Sequence, residues 1–414
     1  MFNLCKEEPM STAFRAILEG IQEVPPNHST AHGLGTVTFD SAAVAASYSF
    51  QIVGVDYGPA TGNPSQTEET DDDVVSTHYH NAPRGVNGPV VFGQINPAQD
   101  GDDLAIEQNE DGSWSVSGRW ETTDPANVSI ADFADILGSA SVGSEVPIYF
   151  NVHTTEFPAG EIRGQLVAIA DDSNNVVDGT EENDVLPGLG GDDIISGLAG
   201  DDTIEGGAGN DILSGGDGND DFNTGAGDDL VFGDDGDDNV GGMAGRDTVF
   251  GGDGDDSVVW NDPTGDIVYG DAGNDFLRGG DTAADTIFGG EGDDEIRAVA
   301  NEDLENHAAD ILFGDEGNDT IVGGNADDRI QGGDDDDILT GLGGADLFVF
   351  AEHESGDDTI TDFEDGTDRI VLTGTATQTI EDGDHGAVIT FENGTVTLAG
   401  VNAADLNADD FLLA

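Results

Sequence analysis

Eighteen aspartates fall at one fixed place of a nine-residue repeat that fills the later part of this 414-residue chain. From Gly179 the units read GTEENDVLP, GLGGDDIIS, GLAGDDTIE, GGAGNDILS, GGDGNDDFN, TGAGDDLVF, GDDGDDNVG, GMAGRDTVF and GGDGDDSVV without a slip. Position six is Asp in all nine: Asp184, Asp193, Asp202, Asp211, Asp220, Asp229, Asp238, Asp247 and Asp256. Position eight is always a large apolar residue; the chain is 36% hydrophobic, so nine such hits by chance have a probability of roughly one in ten thousand. With small insertions the phase runs on through Asp266, Asp275, Asp285, Asp294, Asp310, Asp319, Asp328, Asp337 and Asp346.

A carboxylate and several backbone carbonyls aimed at one place by each turn make an all-oxygen donor set. That set suits a hard cation of flexible coordination, calcium before magnesium. Two carboxylates about 4 Å apart repel by roughly 4 kcal/mol at an effective dielectric of 20. Repeated along a stack, this repulsion predicts that metal binding and folding of the segment are one event. The whole composition agrees: 10 Lys and Arg stand against 88 Asp and Glu, for a formal charge of -78. Such a chain excludes nucleic acid and anionic lipid as partners and needs cations from outside to stay compact.

A second group of candidate ligands lies earlier. Five of the eight histidines, His28, His32, His78, His80 and His153, fall before residue 170. His78 and His80 form an H-x-H pair, which on a strand puts both rings on one face; with His153 they offer a site for Zn or Cu. The competing reading is a structural role in turn hydrogen bonds. Arg163, paired with Glu161 or Glu23, is a further structural expectation. Cys5 is the single cysteine, so neither an intramolecular disulfide nor a thiolate cluster can form. No arrangement for catalysis stands out. H-E-x-x-H is absent, His353-Glu354 being followed by Ser355, Gly356 and Asp357, and there is no G-x-S-x-G. The G-x-G-x-x-G-like strings fall inside the repeats and lack a strand-to-helix context.

These residues need a scaffold. A glycine-rich half-repeat that tolerates positive φ makes a turn, and an x-apolar-x half makes a short strand whose central side chain points inward. One unit cannot bury its own face, so units stack. Strands alternating between two parallel sheets give nine rungs at about 4.8 Å, a roll on the order of 43 Å long. The spacing breaks at 260–265 and at 298–309, read as loops on the stack. Thr224 and the non-glycine second positions Leu189, Leu198, Asp234 and Met243 are expected to alter their turns.

Before the repeats, strand-like runs at 14–18, 35–39, 47–53, 90–95, 114–120, 148–152 and 161–167 predict an antiparallel β-sandwich over 13–170. One short helix at 130–137, capped by Ser129, is also expected. The parsing is then a tail at 1–12, the sandwich, an acidic linker at 171–178, the roll at 179–350 and a C-terminal cap at 351–414: an all-β chain.

The repeats resemble the RTX family, whose unit is G-G-x-G-x-D-x-U-x. That resemblance implies calcium held between turns two repeats apart by the position-six aspartates and by glycine-turn carbonyls. EGIQEVPP at 19–26, HYHNAPRGVNGPVVF at 78–92 and YFNVHTTEFPAGEIRGQL at 149–166 together resemble the CHRD domain, which implies an extracellular interaction module of unspecified ligand. The C-terminal stretch is similar to that of RTX proteins sent out by a type I secretion exporter. This agrees with the lack of a Sec-type leader or membrane span in the sequence. The expected protein is secreted or held at the cell surface, loaded with calcium and non-enzymatic, serving adhesion, matrix or surface assembly. The alternatives are a homo-oligomer or filament subunit that polymerises with calcium, and a metalloenzyme built on His78, His80 and His153.

Overall fold

The structure, a computed structural model, describes the chain apart from residues 1–10, 24–26, 28, 62–71, 96–102, 110–111, 126–127, 261–262, 281–282, 299–307, 352–353, 374–378, 392 and 414. Most of the expected tail, His28, most of the second break in the repeats and His353 therefore lie outside the described residues. The chain divides into two compact units, one comprising 1–177 with 184–191 and the other 178–183 with 192–414.

In the first unit nine strands form one antiparallel sheet: β1 (Ser11–Glu19), β2 (His32–Asp40), β3 (Ala45–Val53), β4 (Val74–Asn81), β5 (Val90–Ile95), β6 (Ala105–Gln108), β7 (Trp114–Trp120), β8 (Glu145–Thr154) and β9 (Ile162–Asp171). Their order is β5-β4-β8-β9-β1-β2-β3-β7-β6. The antiparallel expectation holds, but the sheet is continuous where two facing sheets were expected. Its curl explains why it still encloses a core. Phe50 on β3 and Phe150 on β8 stack at 4.1 Å, although β9, β1 and β2 separate their strands. In a flat sheet four strand steps would hold them about 19 Å apart. The alternating apolar residues of β3, Ala46, Tyr48, Phe50 and Ile52, thus meet Tyr79, Phe92 and Phe150 in a single buried cluster. The helical stretch is a 3-10 turn at Ile130–Asp132 followed by one α turn at Ala134–Leu137, and the Ser129 side chain accepts from the Ala131 amide as its cap.

In the second unit alternate strands enter two parallel sheets. Ile194–Ala199, Ile212–Asp217 and Leu230–Asp235 are successive strands of one; Thr203–Ala208, Asp221–Ala226 and Asn239–Ala244 are successive strands of the other. Each residue pairs with the one 18 positions on, as in Ile195 with Leu213 and Ile204 with Phe222. The position-eight side chains form two inward columns, Ile195, Leu213, Val231 and Val249 facing Ile204, Phe222, Val240 and Val258, all at most 2% exposed. The insertions do not interrupt the stack, since Thr248 pairs with Ile267 and Thr286 with Ile311.

The segment after 350 carries both sheets further. Gly356–Ile360, Arg369–Leu372 and Phe411–Leu413 add parallel strands, and Thr379–Asp382, Gly386–Thr390 and Gly394–Ala399 close one sheet as an antiparallel meander. Along one outer face, position-nine rings stack as a ladder from Phe232 through Phe250, Tyr269 and Phe288 to Phe313, with centroids 4.7 to 5.3 Å apart. The Arg329 guanidinium lies 4.8 Å from the Phe313 ring. Such cross-strand aromatic pairs support the sheet.

Candidate metal centres

All eighteen position-six aspartates are buried, at 0 to 3% exposure. Two rows form, one on each side of the roll. The amide of each aspartate donates to Oδ1 of the aspartate one rung on: Asp202 to Asp220 at 2.7 Å, Asp220 to Asp238 at 2.7 Å, Asp238 to Asp256 at 2.8 Å. The other row runs Asp193, Asp211, Asp229, Asp247 at 2.7 to 2.8 Å. Both rows pass intact through the insertions, Asp247 to Asp266, Asp285 to Asp310 and Asp294 to Asp319 each at 2.8 Å. Oδ1 is thereby assigned to the scaffold. Oδ2 is left over: in Asp211, Asp220, Asp238, Asp256, Asp275, Asp294, Asp319 and Asp337 it is buried with no hydrogen-bond partner.

A buried carboxylate oxygen without a donor is costly unless a cation meets it. Burial, partly offset by the amide hydrogen bond and reinforced by neighbouring carboxylates, pushes Asp256, Asp337 and Asp346 up to about 8 and Asp238 and Asp319 to about 7. These are acids placed where ionisation is unfavourable, and a divalent ion reverses that preference. The residues present therefore fit calcium. They do not fit it uniformly. Asp285 Oδ2 already accepts from the Gly280 amide at 3.1 Å, and Asp328 Oδ2 from the Gly324 amide at 2.6 Å. Within the first unit, Asp184 faces Arg15, whose Nη1 lies 3.7 Å from Oδ1.

The first glycine of the repeat is required by the same carboxylate: a Cβ on Gly215 would sit 2.0 Å from Asp220 Oδ2. The fourth, as at Gly218 with φ of +138°, turns the chain where a Cβ would strike the backbone one rung back. Second-position departures do not alter the turn in the way expected. Leu189, Leu198 and Asp234 hold φ of 75°, 82° and 77°, the same left-handed region that Gly207 and Gly216 occupy. Only the Met243 unit differs, its Gly242 taking φ of +74° in place of the second position. Leu198 is 46% exposed, so it gives up strain for little burial. Leu198→Gly should stabilise the calcium-loaded roll by about 1 kcal/mol in thermal unfolding, after the added chain entropy of glycine; an unchanged or lower midpoint would contradict the strain.

Sequence reading missed two features of the lattice. Position five carries a second ladder running the opposite way: Asp201 donates its amide to Asn183 Oδ1, Asn219 to Asp201, Asp237 to Asn219 and Asp255 to Asp237, at 3.0 to 3.2 Å. The Asp/Asn preference of that position was its visible signal. Two more buried aspartates, Asp358 and Asp368, accept from the amides of Asp337 and Asp346, each at 3.1 Å. They extend both rows beyond residue 350, at spacings of 21 and 22 that hide them from a period of nine.

The histidines converge as well. In the β4–β8 pairing His78 stands opposite Asn151, His80 opposite Tyr149 and Ser76 opposite His153, so all six share the sheet face turned away from the apolar core. The His78 ring lies 4.5 Å from that of His80 and 4.6 Å from that of His153. One ring nitrogen from each falls within 4.8 Å of the others. His28 lies outside the described residues, and His32 is an exposed side chain on β2 whose Nδ1 faces the Thr30 carbonyl at 3.2 Å. Of the two expected carboxylate partners of Arg163, Glu23 acts on its charge electrostatically, and the guanidinium makes further contacts. The Arg163 guanidinium lies 3.4 Å over the Tyr149 ring and donates to the Val86 carbonyl and Asn87 Oδ1. Glu161 instead accepts from the hydroxyls of Ser29 and Thr154.

Comparison with known proteins accounts for both units. A family model described as the CHRD domain matches residues 14–166. A second, the RTX calcium-binding nonapeptide repeat (4 copies), matches at 169–204, 196–231, 232–259, 261–296, 280–303 and 309–348. No curated protein matches the chain. Among solved structures it is similar to the extracellular lipase LipA from Serratia marcescens, at 20% identity and a TM-score of 0.26, over 54% of this chain and 45% of that one. It is also similar to the AlgE6R3 subunit from the Azotobacter vinelandii mannuronan C5-epimerase, at 24% identity and a TM-score of 0.18, over 36% of this chain and 78% of that one. The chain thus spans under half the length of the lipase. Joined to the two ladders of buried carboxylates, the family matches identify the chain as a CHRD domain followed by RTX calcium-binding nonapeptide repeats.

Proposed function

We propose that this is a secreted, non-enzymatic protein whose RTX roll solidifies on calcium outside the cell and carries a CHRD interaction module for adhesion, matrix or cell-surface assembly. The row of buried, partnerless Oδ2 atoms supports it best. Such a lattice is stable only where calcium is plentiful, and sites of the extracellular kind, with dissociation constants of about 0.1 to 1 mM, stay empty in cytosol. The chain would then pass a type I exporter unfolded, and the position-six aspartates would take up calcium on emergence, in numbers that titration would count. Asp285 and Asp328, whose second oxygens already hold amides, would contribute least. Among the described residues no helix is long and apolar enough to cross a membrane.

Co-expression of the full chain with a type I exporter, in a host that lacks one of its own, is the test. Protein is expected in the medium only when the exporter is present, and it should acquire strand circular dichroism there on addition of millimolar calcium. Retention in the cells with an active exporter would remove the export half of the proposal. Order that does not depend on calcium would remove the other half.

A further inference from the structure

Two of the three segments that resemble the CHRD domain, 78–92 and 149–166, meet on the outer face of its sheet. His80 Nδ1 lies 2.8 Å from the Gly88 carbonyl, and His153 Nδ1 3.2 Å from the Pro158 carbonyl. A carbonyl can only accept, so each ring donates from Nδ1 and carries its lone pair on Nε2. Both Nε2 atoms, together with Nδ1 of His78, are buried and have no hydrogen-bond partner. His78 itself is 6% exposed. Asn151 Oδ1, directly across from His78, is buried and unpartnered as well. Buried polar atoms are seldom left so; here three ring nitrogens and an amide oxygen are, on one patch of sheet.

The surroundings hold this arrangement in place. Tyr149 stacks on His80 at 4.7 Å and 5°, with Arg163 over its ring, and its hydroxyl accepts from the Gly88 amide at 3.2 Å. The same loop therefore fixes the ring and the tautomer of His80, as outer-shell groups do for metal-bound histidines. Burial, with the mutual repulsion of the rings, pushes His78 down to about 3, and burial pushes His80 down to about 4, so the rings are neutral donors at pH 7.

We propose that His78 Nδ1, His80 Nε2 and His153 Nε2 bind one zinc or copper ion, a late first-row divalent metal for which three imidazoles and an open fourth position are a suitable set. Calcium is excluded from this site by its nitrogen donors. With metal–nitrogen bonds of about 2.0 to 2.1 Å, the three atoms close inward by about 1 Å on binding. Such a centre is separate from the calcium lattice and goes beyond the calcium-dependent role proposed above.

The test uses the full chain in excess calcium, freed of transition ions with a chelator that prefers them and then titrated with zinc sulfate or copper sulfate alone. One equivalent of metal per chain is expected, with affinity lowered about a hundredfold or more in H80N and H153Q and unchanged in H385Q. Near-ultraviolet circular dichroism shows whether each variant retains the sheet. A reading free of variants comes from the copper form, whose electron paramagnetic resonance should show nitrogen superhyperfine structure. Since copper outbinds zinc at nitrogen sites in general, the ion retained by protein purified without chelator identifies the metal. A wild type that takes up neither ion at micromolar concentration, equal uptake by folded H80N and H153Q, or an oxygen-only copper spectrum would overturn the site. None of these outcomes affects the calcium dependence of the roll.

Discussion

Withdrawal of calcium at pH 7.5 is expected to dissolve the roll and spare the nine-stranded sheet. The reason lies in the two units' different sources of stability. The first buries Phe14, Phe39, Phe50, Phe92, Phe150, Trp114 and Trp120 in a thick apolar cluster and owes little to ions. The second has a core only two apolar columns thick, flanked by rows of buried carboxylates. At neutral pH without a cation those carboxylates must either ionise where they are buried or take up protons from dilute solution. Excess EGTA should therefore remove roughly half of the strand signal in far-ultraviolet circular dichroism. Tryptophan fluorescence separates the units. Trp260, 2% exposed, belongs to the roll, whereas Trp114 and Trp120 belong to the sheet. A W260F variant should lose most of the calcium-dependent emission shift, and a W114F/W120F variant should keep it. A second half that stays ordered and heat-resistant in EGTA would refute the coupling of metal to folding.

How far the sequence disclosed this molecule depends on how local each determinant is. The turn, the strand and the inward side chain of an RTX unit all lie within nine residues, so Asp220, Phe222 and Gly215 could be assigned roles from spacing alone. Features set between rungs were harder to see. The aromatic ladder from Phe232 to Phe313 recurs every second unit, a period of 18 and more that a nine-residue reading averages away. The opposed hydrogen-bond directions of positions five and six depend on stacking geometry. In the CHRD domain the difficulty was pairing order. Strands β5 and β7 were legible to the residue, but β4 was not, because polar and aromatic residues alternate along VVSTHYHN with its apolar side barely marked. Nor does any local pattern say that β8 lies between β4 and β9, which is what brings His153 beside His78 across 75 positions. The same non-local order makes the sheet one curled surface where a sandwich was expected.

Acid should do for the metal-free roll what calcium does at neutral pH. The folded form raises its carboxylates well above the ordinary aspartate value: burial, with neighbouring charges adding to it, brings Asp229 and Asp275 to about 6, Asp294 and Asp358 to about 7, and Asp310, Asp337 and Asp346 to about 8. An unfolded chain returns them to about 3.9. The folded state thus binds more protons between these values, so without calcium its stability is full below about pH 4 and is lost as pH rises through 6 to 8. With calcium bound the sign reverses, since protons then compete with the ion for the same oxygens. Metal-free protein is expected to show the strand signal at pH 5, above the isoelectric point of about 4.1, and to lose it by pH 8.5, with light scattering monitored to exclude aggregation. In millimolar calcium the signal should instead persist at pH 8.5, and as pH falls below 5 the bound calcium should be released while the strand signal remains. A metal-free chain that is disordered at both pH values, or that gains order as pH rises, would show that the buried carboxylates do not control the fold.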